Sequence, residues 1–567
     1  MKYRDLILAS YEKLGYDPKT RPFQIGVINQ VIEAFVDSKK RDVVLSAPTG
    51  AGKSVLGLII SDVLSEVKYP GKSKGTLKTI FNTGTIVLSK QYAENFERTS
   101  NFNVLKGAAN YRCDLLSENA EEDATAEQCV KKVVKNNPIC ATCEYNLSRK
   151  TRNTTEHVVT TYAMFYIDRL FAHFFEKREL VVWDEAHLVS DLFCEHSGIF
   201  YSAPRLEVMK KEVLENFPRR EGEVLINRLS RLQADLVRQT DDTYLVWLEG
   251  IKMVLGTCKN KFDIEKTRFE DMSEDGEKVS PEDMKAFMHW TKLFKKYEGL
   301  LCKIGDFEKY KYEHVFDPKD ESYSIKPVFI NTMMKNLQNN NHNLFMSGTI
   351  SSEYAVAVLG LNPEDMEFIK LPPVFPAENK LVAFYDFIPM NYQSLKDPVT
   401  IKTITMDVNK ILDEHVELKE SGIIQTPSFA LQQHVVDSLR DRTDYVLFVQ
   451  QQGEKLEQVL QRFKVSKVPS LLISPSVYEG IDLPGDQSRF AIMLKVPYAS
   501  LGDKRISYIL KKFPEMYSEM ALQKVLQGLG RSVRSEEDFS ITYFLDSNAK
   551  RLLTSKQNIW RDEFEIL

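Results

Sequence analysis

The chain has no long hydrophobic run and no internal repeat. None of its 567 residues lies in a stretch approaching the roughly 18 apolar residues that a membrane-spanning helix needs. Arg4 and Asp5 come early in the chain, so the N-terminus lacks the apolar core of a signal peptide. There is also no long low-complexity tract. These absences argue against membrane, secreted and repeat proteins, and they predict a soluble cytoplasmic protein with no membrane partner.

The chain also lacks an excess of positive charge. Its 75 Lys and Arg residues stand against 80 Asp and Glu residues, a formal net charge of -5. This balance argues against nonspecific coating of nucleic acid, which depends on many cationic contacts. Since binding responds to local charge, a polynucleotide could still lie along a confined basic track. The composition, 43% hydrophobic and 27% charged, is ordinary for a globular protein, and the length predicts several domains.

Cysteine is scarce and unevenly placed. There are seven cysteines, an odd number that disfavours a disulfide framework in an intracellular chain. Four of them are clustered, which suits either tetrahedral zinc or an iron–sulfur cluster. The clustered residues are Cys113, Cys129, Cys140 and Cys143. Only the last two form a tight pair, so zinc ribbons with two tight pairs fit poorly. We interpret the scattered Cys194, Cys258 and Cys302 as small buried hydrophobic residues.

A glycine-containing turn after the apolar run 43–45 predicts a phosphate-binding loop. Residues 46–54 are Ser-Ala-Pro-Thr-Gly-Ala-Gly-Lys-Ser. A strand, such a turn and a helix point backbone N–H groups at a polyphosphate; Lys53 can then neutralise the terminal phosphates, and the Ser54 hydroxyl can bind magnesium. Ala47 departs from the pattern because a glycine usually stands there, and a chance glycine turn is the alternative. The expected nucleotide contacts are Thr49, Gly50, Ala51, Gly52, Lys53 and Ser54.

A second half of a nucleotide site follows the apolar run 180–183. Adjacent carboxylates at a strand end can divide two tasks, with Asp184 binding magnesium and Glu185 polarising an attacking water. The pair indicates hydrolysis and not mere storage of a nucleotide, whereas a solvated turn is the alternative. Residues 184–187, Asp-Glu-Ala-His, also match the DEAH box of superfamily 2 helicases.

Strand-like and helical runs alternate on both sides of a helical stretch. The predicted strands are 43–45, 85–88, 157–160 and 180–183, and after residue 376 they are 421–426, 445–449, 470–473, 490–494 and 540–545. From about residue 205 to 312, Leu and aromatic residues recur at helical spacing, which is typical of packing faces. Three prolines within 371–376 predict a domain boundary. The fold class is therefore α/β with a helical insertion.

Further residues could contact the nucleotide or relay its state. Gln24, just after Arg21, could recognise an adenine edge through its amide. A strand-like run precedes short hydroxyl side chains that could relay the nucleotide state to a neighbouring domain, or could merely begin a turn. The hydroxyl side chains belong to Ser347 and Thr349, and Gly348 lies between them. Asp482 belongs to a polar-tipped loop suited to sensing a phosphate.

Two other groups suggest charge contacts. Gln527 precedes Arg531 and Arg534, which share one helical face and could stabilise charge on a transferring phosphoryl group. An exposed basic helical turn is the alternative for these arginines. Lys90, Gln91 and Tyr92 follow the predicted strand 85–88 and offer a cation and an aromatic ring for a DNA phosphate and base. Tyr92 could equally be a core residue.

Together these motifs resemble the superfamily 2 helicases of the XPD and DinG type, and the resemblance covers nearly the whole chain. Four segments carry details of this group: 107–113, Gly-Ala-Ala-Asn-Tyr-Arg-Cys, is similar to GRxNYxC; 143–145, Cys-Glu-Tyr, to CPY; 347–352, Ser-Gly-Thr-Ile-Ser-Ser, to SGTLSP; and 479–482, Glu-Gly-Ile-Asp, to EGxD. Compared with the family pattern, the helical insertion and the C-terminal end look short, and the middle two cysteines stand further apart.

The resemblance implies two RecA-like parallel-sheet motor domains, the first interrupted by a small cysteine-cluster domain and a helical arch-like insertion. The first motor domain would comprise 1–104, 149–204 and 326–372, and the second 373–567. The segment 105–148 would hold a four-iron four-sulfur (4Fe-4S) cluster on Cys113, Cys129, Cys140 and Cys143, with zinc as the alternative metal. The arch-like insertion would comprise 205–325.

The resemblance further implies an ATP- and Mg2+-dependent motor. It would move 5′ to 3′ on single-stranded DNA and unwind forked duplex DNA, as a monomer, in repair, replication or recombination. Gln24 and the phosphate loop would hold ATP, while magnesium would lie at Ser54 and Asp184. Arg21 and Asp482 are further expected nucleotide contacts.

The resemblance also distributes the catalytic and coupling roles. Glu185 would activate water, and Gln527, Arg531 and Arg534 would close over the phosphates. His187 and residues 347–349 would couple closure to movement. Two alternatives from other functional classes stay open: a nucleic-acid-stimulated ATPase that remodels complexes without unwinding, and a nuclease or redox sensor built on the cluster.

Overall fold

The computed structural model of the chain describes residues 1–48, 50–67, 77–96, 102–119, 124–129, 137–169, 175–236, 238–274, 280–319, 321–338, 342–385, 390–391, 393–475, 483, 485–529, 532–533 and 535–567. The contacts divide it into two units. The first comprises Met1–Val44, Ser54–Met346 and Ser352–Glu367, and the second comprises Leu45–Lys53, Ser347–Ser351 and Phe368–Leu567. Over these described ranges, no helix combines the length and apolarity needed to cross a membrane.

The elements are numbered in chain order. The strands are β1 Asp42–Ser46, β2 Thr79–Thr83, β3 Phe102–Leu105, β4 His157–Thr161, β5 Leu180–Asp184, β6 Ile199–Ser202, β7 His314–Lys319, β8 Ser322–Pro327, β9 His342–Ser347, β10 Met366–Lys370, β11 Lys380–Phe384, β12 Gly422–Gln425, β13 Val446–Val449, β14 Ser470–Ser474, β15 Phe490–Met493, β16 Ser540–Phe544 and β17 Glu565–Ile566. The helices up to residue 357 are α1 Arg4–Lys13, α2 Phe23–Val36, α3 Lys53–Glu66, α4 Ile86–Phe96, α5 Asp114–Asn119, α6 Pro138–Thr142, α7 Glu144–Thr151, α8 Tyr162–Ile167, α9 Val189–Ser197, α10 Ala203–Asn216, α11 Arg219–Leu236, α12 Tyr244–Glu274, α13 Pro281–Tyr310, α14 Asn331–Gln338 and α15 Ser352–Ala357. Those that follow are α16 Pro398–Val416, α17 Phe429–Ser438, α18 Leu456–Lys464, α19 Lys504–Lys512, α20 Pro514–Leu529 and α21 Ser547–Leu553.

The first sheet has seven strands in the order β10-β1-β9-β5-β2-β4-β3. The neighbours β3–β4, β4–β2, β2–β5 and β5–β9 are parallel. Every residue of β1, β2, β4 and β5 is buried. Strands that are buried along their whole length suit a parallel sheet whose two faces are covered by helices. The phosphate loop follows β1, and the DEAH residues begin at the end of β5.

A buried polar chain fixes the neighbours in the middle of this sheet. The Trp183 indole donates to Asn343 Oδ1 at 3.1 Å, and Asn343 Nδ2 donates to Asp42 Oδ1 at 2.8 Å. The Trp183 ring also stacks on Phe345, with 5.3 Å between the ring centroids. Because an unpaired buried amide or carboxylate costs several kcal/mol, these bonds favour the order β1, β9, β5 over other arrangements.

The predicted strand at 85–88 is wrong. The strand ends earlier, at Thr83, and Ile86 already begins α4. Thr85 lies at the start of this helix, where its Oγ1 accepts a hydrogen bond from the Leu88 backbone at 3.2 Å. A short apolar run such as Ile-Val-Leu fits a strand or a buried helical turn equally well, and here the N-terminal hydroxyl favours the helix.

The second sheet also has seven strands, in the order β13-β14-β12-β15-β16-β11-β17, and all of its neighbouring pairs are parallel. The five strands predicted after residue 376 are all present. Ile404, Val408 and Ile411 on α16 pack with strand residues into one core, and α20 and α21 contribute to another. The prediction of an α/β fold with two RecA-like parallel sheets and a helical insertion is confirmed.

The helical insertion consists of α10 to α13. Leu225, Leu229 and Leu236 on α11 are buried, as the spacing predicts. The longest pair, α12 and α13, pack along one another. Ser280 caps α13: its hydroxyl accepts from Asp283 N at 3.1 Å, and its own backbone N–H donates to Asp283 Oδ2 at 2.9 Å. The sequence did not predict the antiparallel sheet β6-β8-β7, whose strands flank these helices in the chain.

The cysteine-rich segment between β3 and β4 contains three short helices, α5 to α7. Its two parts, around Cys113 and around Thr125, are joined by a backbone hydrogen bond. Cys113 N donates to Ala124 O at 2.8 Å, and Arg112 and Thr125 form an antiparallel β-bridge. Its apolar core includes Cys113 and Cys140, and Phe287 of α13 completes that core. The segment therefore packs against the long helical pair and has little apolar core of its own.

Candidate active site

The phosphate loop has the backbone that its glycines predict. Gly50 and Gly52 have φ of 88° and 74°, left-handed values that side chains with a Cβ rarely adopt. A Cβ atom at Gly50 would also lie 2.6 Å from the Phe375 ring, which packs against the loop. Lys53 begins α3, so it stands at the helix N-terminus, where backbone N–H groups attract phosphates. Thr49 lies outside the described residues.

Ala47, the departure from the phosphate-loop pattern, is accommodated by its place at the end of β1. Its side chain is fully buried, and its backbone N–H donates to Ser347 O at 2.8 Å. Ala47 is not among the described non-glycine residues with positive φ, so the left-handed conformation that favours glycine is not needed there. The conformational freedom of glycine is used in this loop at Gly50 and Gly52 instead.

Two buried tyrosines hold Asp184 at the end of β5. Tyr92 OH donates to Asp184 Oδ2 at 2.8 Å, and Tyr162 OH donates to the Asp184 carbonyl at 2.6 Å. Burial raises the pKa of Tyr92 well above its ordinary value and the charge of Asp184 raises it further, whereas a side-chain hydrogen bond with Ser54 opposes the rise. The phenol is therefore a protonated donor to Asp184, one expected magnesium ligand, and it lies near Ser54, the other.

The burial of Tyr92 corrects the prediction that its ring stacks on a DNA base. Only 2% of the residue is exposed, so its ring cannot stack on a nucleic-acid base, and the core alternative holds. Lys90 and Gln91 are exposed on α4. They do not follow a strand directly, as the sequence suggested, but lie within the helix that follows β2.

Glu185 and His187 form a compact turn after β5. Glu185 has φ of 54° and ψ of 50°, a left-handed conformation that costs a non-glycine residue about 1–3 kcal/mol. His187 Nδ1 lies 3.5 Å from Glu185 Oε2, and the His187 carbonyl accepts from Tyr354 OH at 2.8 Å. Strain of this kind persists only where the surroundings enforce it, as they do at many functional sites.

The expected adenine contact, Gln24, is held by a residue that the sequence did not indicate. Gln24 is the second residue of α2 and is buried. Its Oε1 accepts a hydrogen bond from Tyr11 OH at 2.6 Å. Burial raises the pKa of Tyr11, and the charge of nearby Arg21 opposes the rise. Arg21 and Gln24 are thus both close to Tyr11.

In the second unit, residues from two distant motifs meet. Gln527 Nε2 donates to Thr349 Oγ1 at 3.4 Å, and Thr349 N donates to Ser347 Oγ at 3.2 Å. Gln527 lies near the C-terminal end of α20, and Gly348 lies in the turn after β9. Arg531, Arg534 and Asp482 lie outside the described residues.

All four clustered cysteines, Cys113, Cys129, Cys140 and Cys143, line one pocket, together with Tyr145 and Asn146. Burial raises the pKa of the Cys113 thiol, a backbone hydrogen bond from Leu116 lowers it, and the nearby Cys129 and Cys143 raise it again. No disulfide links any of the cysteines. As the side chains stand in the described ranges, no three metal-binding residues are grouped closely enough to hold a metal ion. The pocket brings the four thiols together without converging them on one point.

The remaining cysteines behave as small hydrophobic residues. Cys194 and Cys258 are buried, which confirms the expectation, whereas Cys302 is only half-buried. Burial raises the pKa of the Cys258 thiol to about 12 and that of Cys302 to about 11. Neither thiol would ionise near neutral pH.

Family models match two parts of the chain. Residues 412–561 match the model described as the helicase C-terminal domain, and residues 17–219 match the one described as the type III restriction enzyme res subunit. Between them, these matches cover the phosphate loop, the DEAH residues and the greater part of the second sheet.

Curated relatives match over very different lengths. A probable ATP-dependent helicase of Methanocaldococcus jannaschii is 21% identical over 98% of this chain and 96% of its own length. The ATP-dependent DNA helicase XPD of Sulfolobus acidocaldarius is 22% identical over 95% of this chain and 98% of its own. A 3′-5′ exonuclease DinG of Staphylococcus saprophyticus is 25% identical, but the match spans only 33% of this chain and 21% of that protein.

Solved structures share the fold. An XPD helicase structure aligns with a TM-score of 0.60 at 17% identity, over 96% of this chain and 99% of the other. The structure of S. tokodaii Xpd4 aligns with a TM-score of 0.58 at 15% identity, over 96% of this chain and 100% of the other. The family models and the chain-length relatives thus show an ATP-dependent helicase that is similar to those of the XPD and DinG type, and the solved structures show that it shares the XPD fold.

Proposed function

We propose that this protein is an ATP-driven motor that moves 5′ to 3′ on single-stranded DNA and unwinds duplex ahead of it. The observation that carries the proposal is the hydrogen bond from Tyr92 to Asp184, made where Ser54 of α3 is close enough to lower the pKa of Tyr92. It brings the helix after the phosphate loop next to the end of β5, the arrangement that nucleotide hydrolysis requires. A hydroxyl and a carboxylate are also ligands that magnesium accepts.

Each motif then has a task in hydrolysis. The phosphate loop and Lys53 bind the phosphates of ATP, and Gln24 with Arg21 lies on the adenine side. Glu185 orients and deprotonates the attacking water. Arg531 and Arg534, with Gln527, stabilise charge on the transferring phosphoryl group, and Asp482 senses the phosphate. Thr349 and His187 relay the nucleotide state.

The first test is DNA-stimulated hydrolysis of ATP by Lys53→Ala. Because Lys53 supplies the charge at the terminal phosphates, turnover should fall at least a hundredfold while the fold stays intact. Lys211→Ala, which removes an exposed lysine of α10, is the matched control and should keep full turnover. Near-normal hydrolysis by Lys53→Ala would refute the assignment of the phosphate loop.

The second test separates unwinding from ATPase activity alone. Strand displacement is measured on partial duplexes with a 5′ or a 3′ single-stranded tail, beside ATP turnover on the same DNA. Displacement only with the 5′ tail is the expected result. Turnover without displacement would instead support the alternative, a nucleic-acid-stimulated ATPase that remodels complexes. Exposed Lys90 and Gln91 are the proposed contacts with the DNA strand.

We further propose that Cys113, Cys129, Cys140 and Cys143 hold a four-iron four-sulfur cluster. The support is their shared pocket together with the similarity of 107–113 and 143–145 to the cysteine segments of the XPD and DinG helicases. The same four thiolates could hold zinc, so the metal has to be identified directly. When bound, the cluster would cross-link a segment with little core of its own.

Cluster content is tested by iron and acid-labile sulfide analysis of protein purified without oxygen. Iron and sulfide near four of each per chain, with a broad absorbance band in the blue, are expected. Stoichiometric zinc without iron would show that the alternative metal is the correct one.

A further inference from the structure

The structure assigns a positioning role to Tyr92: we propose that its hydroxyl orients Asp184 for magnesium. The proposal rests on the proposed nucleotide site but adds a residue to it. Tyr92 lies one turn before the end of α4, and its OH donates to Asp184 Oδ2 at 2.8 Å. Ser54, the second residue of α3, is close enough to the same hydroxyl to lower its pKa.

The other contacts of Asp184 show why one donor can set its orientation. Its Oδ1 accepts the backbone N–H of Glu185 at 3.1 Å, and its carbonyl accepts Tyr162 OH at 2.6 Å. The backbone of Asp184 is therefore held from one side and Oδ2 from another. With Oδ2 held by Tyr92 and Oδ1 by the Glu185 N–H, the plane of the carboxylate is fixed, and a carboxylate oxygen that accepts one hydrogen bond can still bind a cation.

Packing alone does not require a hydroxyl at this position. The Tyr92 ring packs on Phe81 of β2, with 5.6 Å between centroids, a contact that phenylalanine would make equally well. What the hydroxyl adds is a bond to a buried carboxylate. Partners behind a metal-binding carboxylate typically change metal affinity or activity by about 10- to 100-fold when they are removed.

The test compares Tyr92→Phe with Tyr166→Phe. Tyr166 is equally buried, and its hydroxyl also donates to a carboxylate, Asp306 Oδ2, at 3.2 Å, but that carboxylate belongs to α13 and not to the proposed nucleotide site. Both variants lose one buried phenol–carboxylate bond. Comparing them therefore separates a general loss of packing or polar contact from an effect on the metal.

The direct readout is Mn2+ binding in the presence of ATP, followed by the electron paramagnetic resonance signal of free Mn2+. Tyr92→Phe should weaken Mn2+ binding about tenfold, while ATP binding in EDTA changes less than twofold. Tyr166→Phe should match wild type in both measurements. Thermal unfolding midpoints of the two variants show that each is folded at the assay temperature.

The outcomes separate this inference from the proposed function. Equal Mn2+ affinity of Tyr92→Phe and wild type, or equal weakening in both variants, would overturn the role of Tyr92. A wild-type protein that binds Mn2+ with ATP yet shows no DNA-stimulated hydrolysis would overturn the proposed function and leave the role of Tyr92 standing.

Discussion

Tyr11 donates a hydrogen bond to Gln24, with 2.6 Å between its hydroxyl oxygen and Oε1. The bond links α1 to the start of α2 and fixes which way the Gln24 amide faces, since a phenol can approach only the carbonyl end when it donates. The amide group that would recognise adenine is thus set in place by a residue 13 positions earlier in the chain.

Tyr11→Phe should therefore weaken ATP recognition without affecting hydrolysis itself. Loss of the fixed amide orientation should raise KM for ATP about three- to tenfold, the effect of about one ordinary hydrogen bond, with kcat unchanged. The measurement is steady-state ATPase with ATP and with GTP. Tyr16→Phe, a partly buried neighbour, serves as the control. A fall in kcat at unchanged KM would contradict the adenine-side role.

Glu185→Gln should stop hydrolysis while ATP still binds. Glutamine keeps the size and the left-handed backbone demand of Glu185 but cannot accept a proton, so single-turnover hydrolysis should fall about 10²–10⁴-fold. ATP affinity in a filter-binding assay should stay within about threefold. Glu195→Gln, an exposed glutamate on α9, should behave as wild type. Hydrolysis by Glu185→Gln at the normal rate would exclude Glu185 as the base.

The effects of substituting Gln527 and Thr349 should not be additive. Their 3.4 Å contact predicts that Gln527→Ala and Thr349→Ala each lower DNA-stimulated turnover, and that the double variant is no worse than the stronger single one. The double-mutant cycle on kcat is the measurement. Fully additive losses would mean that the two side chains work independently.

Cys113→Ser should remove the metal and loosen the segment between β3 and β4. Three remaining thiolates bind a cluster poorly, and the shared core with Phe287 is too small to keep the segment ordered without it. Iron content and proteolysis of the segment are measured beside ATP binding, which should persist because the phosphate loop belongs to other residues. Cys302→Ser is the matched control. Full iron content in Cys113→Ser would remove Cys113 from the ligand set.

His157 should make the folded state sensitive to mild acid. Burial lowers the pKa of His157 to about 4, with the charge of Arg178 as the second cause, whereas an unfolded histidine titrates near about 6.5. The unfolded chain therefore binds a proton first. The contribution of His157 to the free energy of unfolding has its full value above about pH 6.5. It falls as the pH is lowered towards 4, by at most about 1.4 kcal/mol per pH unit.

His157→Leu should flatten that part of the stability profile, as followed by urea unfolding between pH 4.5 and 7.5. His434→Leu, which replaces an exposed histidine, should leave the profile as it is in wild type. An unchanged slope in His157→Leu would assign the acid sensitivity to other groups.

Sequence reasoning succeeded where a local pattern determines the structure. The runs 157–160 and 180–183 are apolar or β-branched and bounded by turns, so their strands follow from composition alone. The strand prediction for 85–88 was wrong because such short apolar runs occur in strands and in helices alike. The predicted DNA contact of Tyr92 was wrong for a different reason. Its partner Asp184 lies 92 residues away, and a contact between such distant positions cannot be predicted from the local sequence. The left-handed backbone of Glu185 is likewise enforced by its surroundings.

The order of strands in the first sheet has a consequence for how the protein is made. β1 lies between β10 and β9, and its bond from Asp42 to Asn343 joins positions 301 residues apart. At about 5–20 residues per second, the ribosome needs on the order of 15–60 seconds to deliver the partner. Throughout that interval the nascent chain carries an unpaired strand with the apolar centre Val43-Val44-Leu45, while the cysteine segment and the long helices are still being synthesised. Yield in the cell should depend on how well chaperones cover this one strand, more than on the stability of the finished molecule.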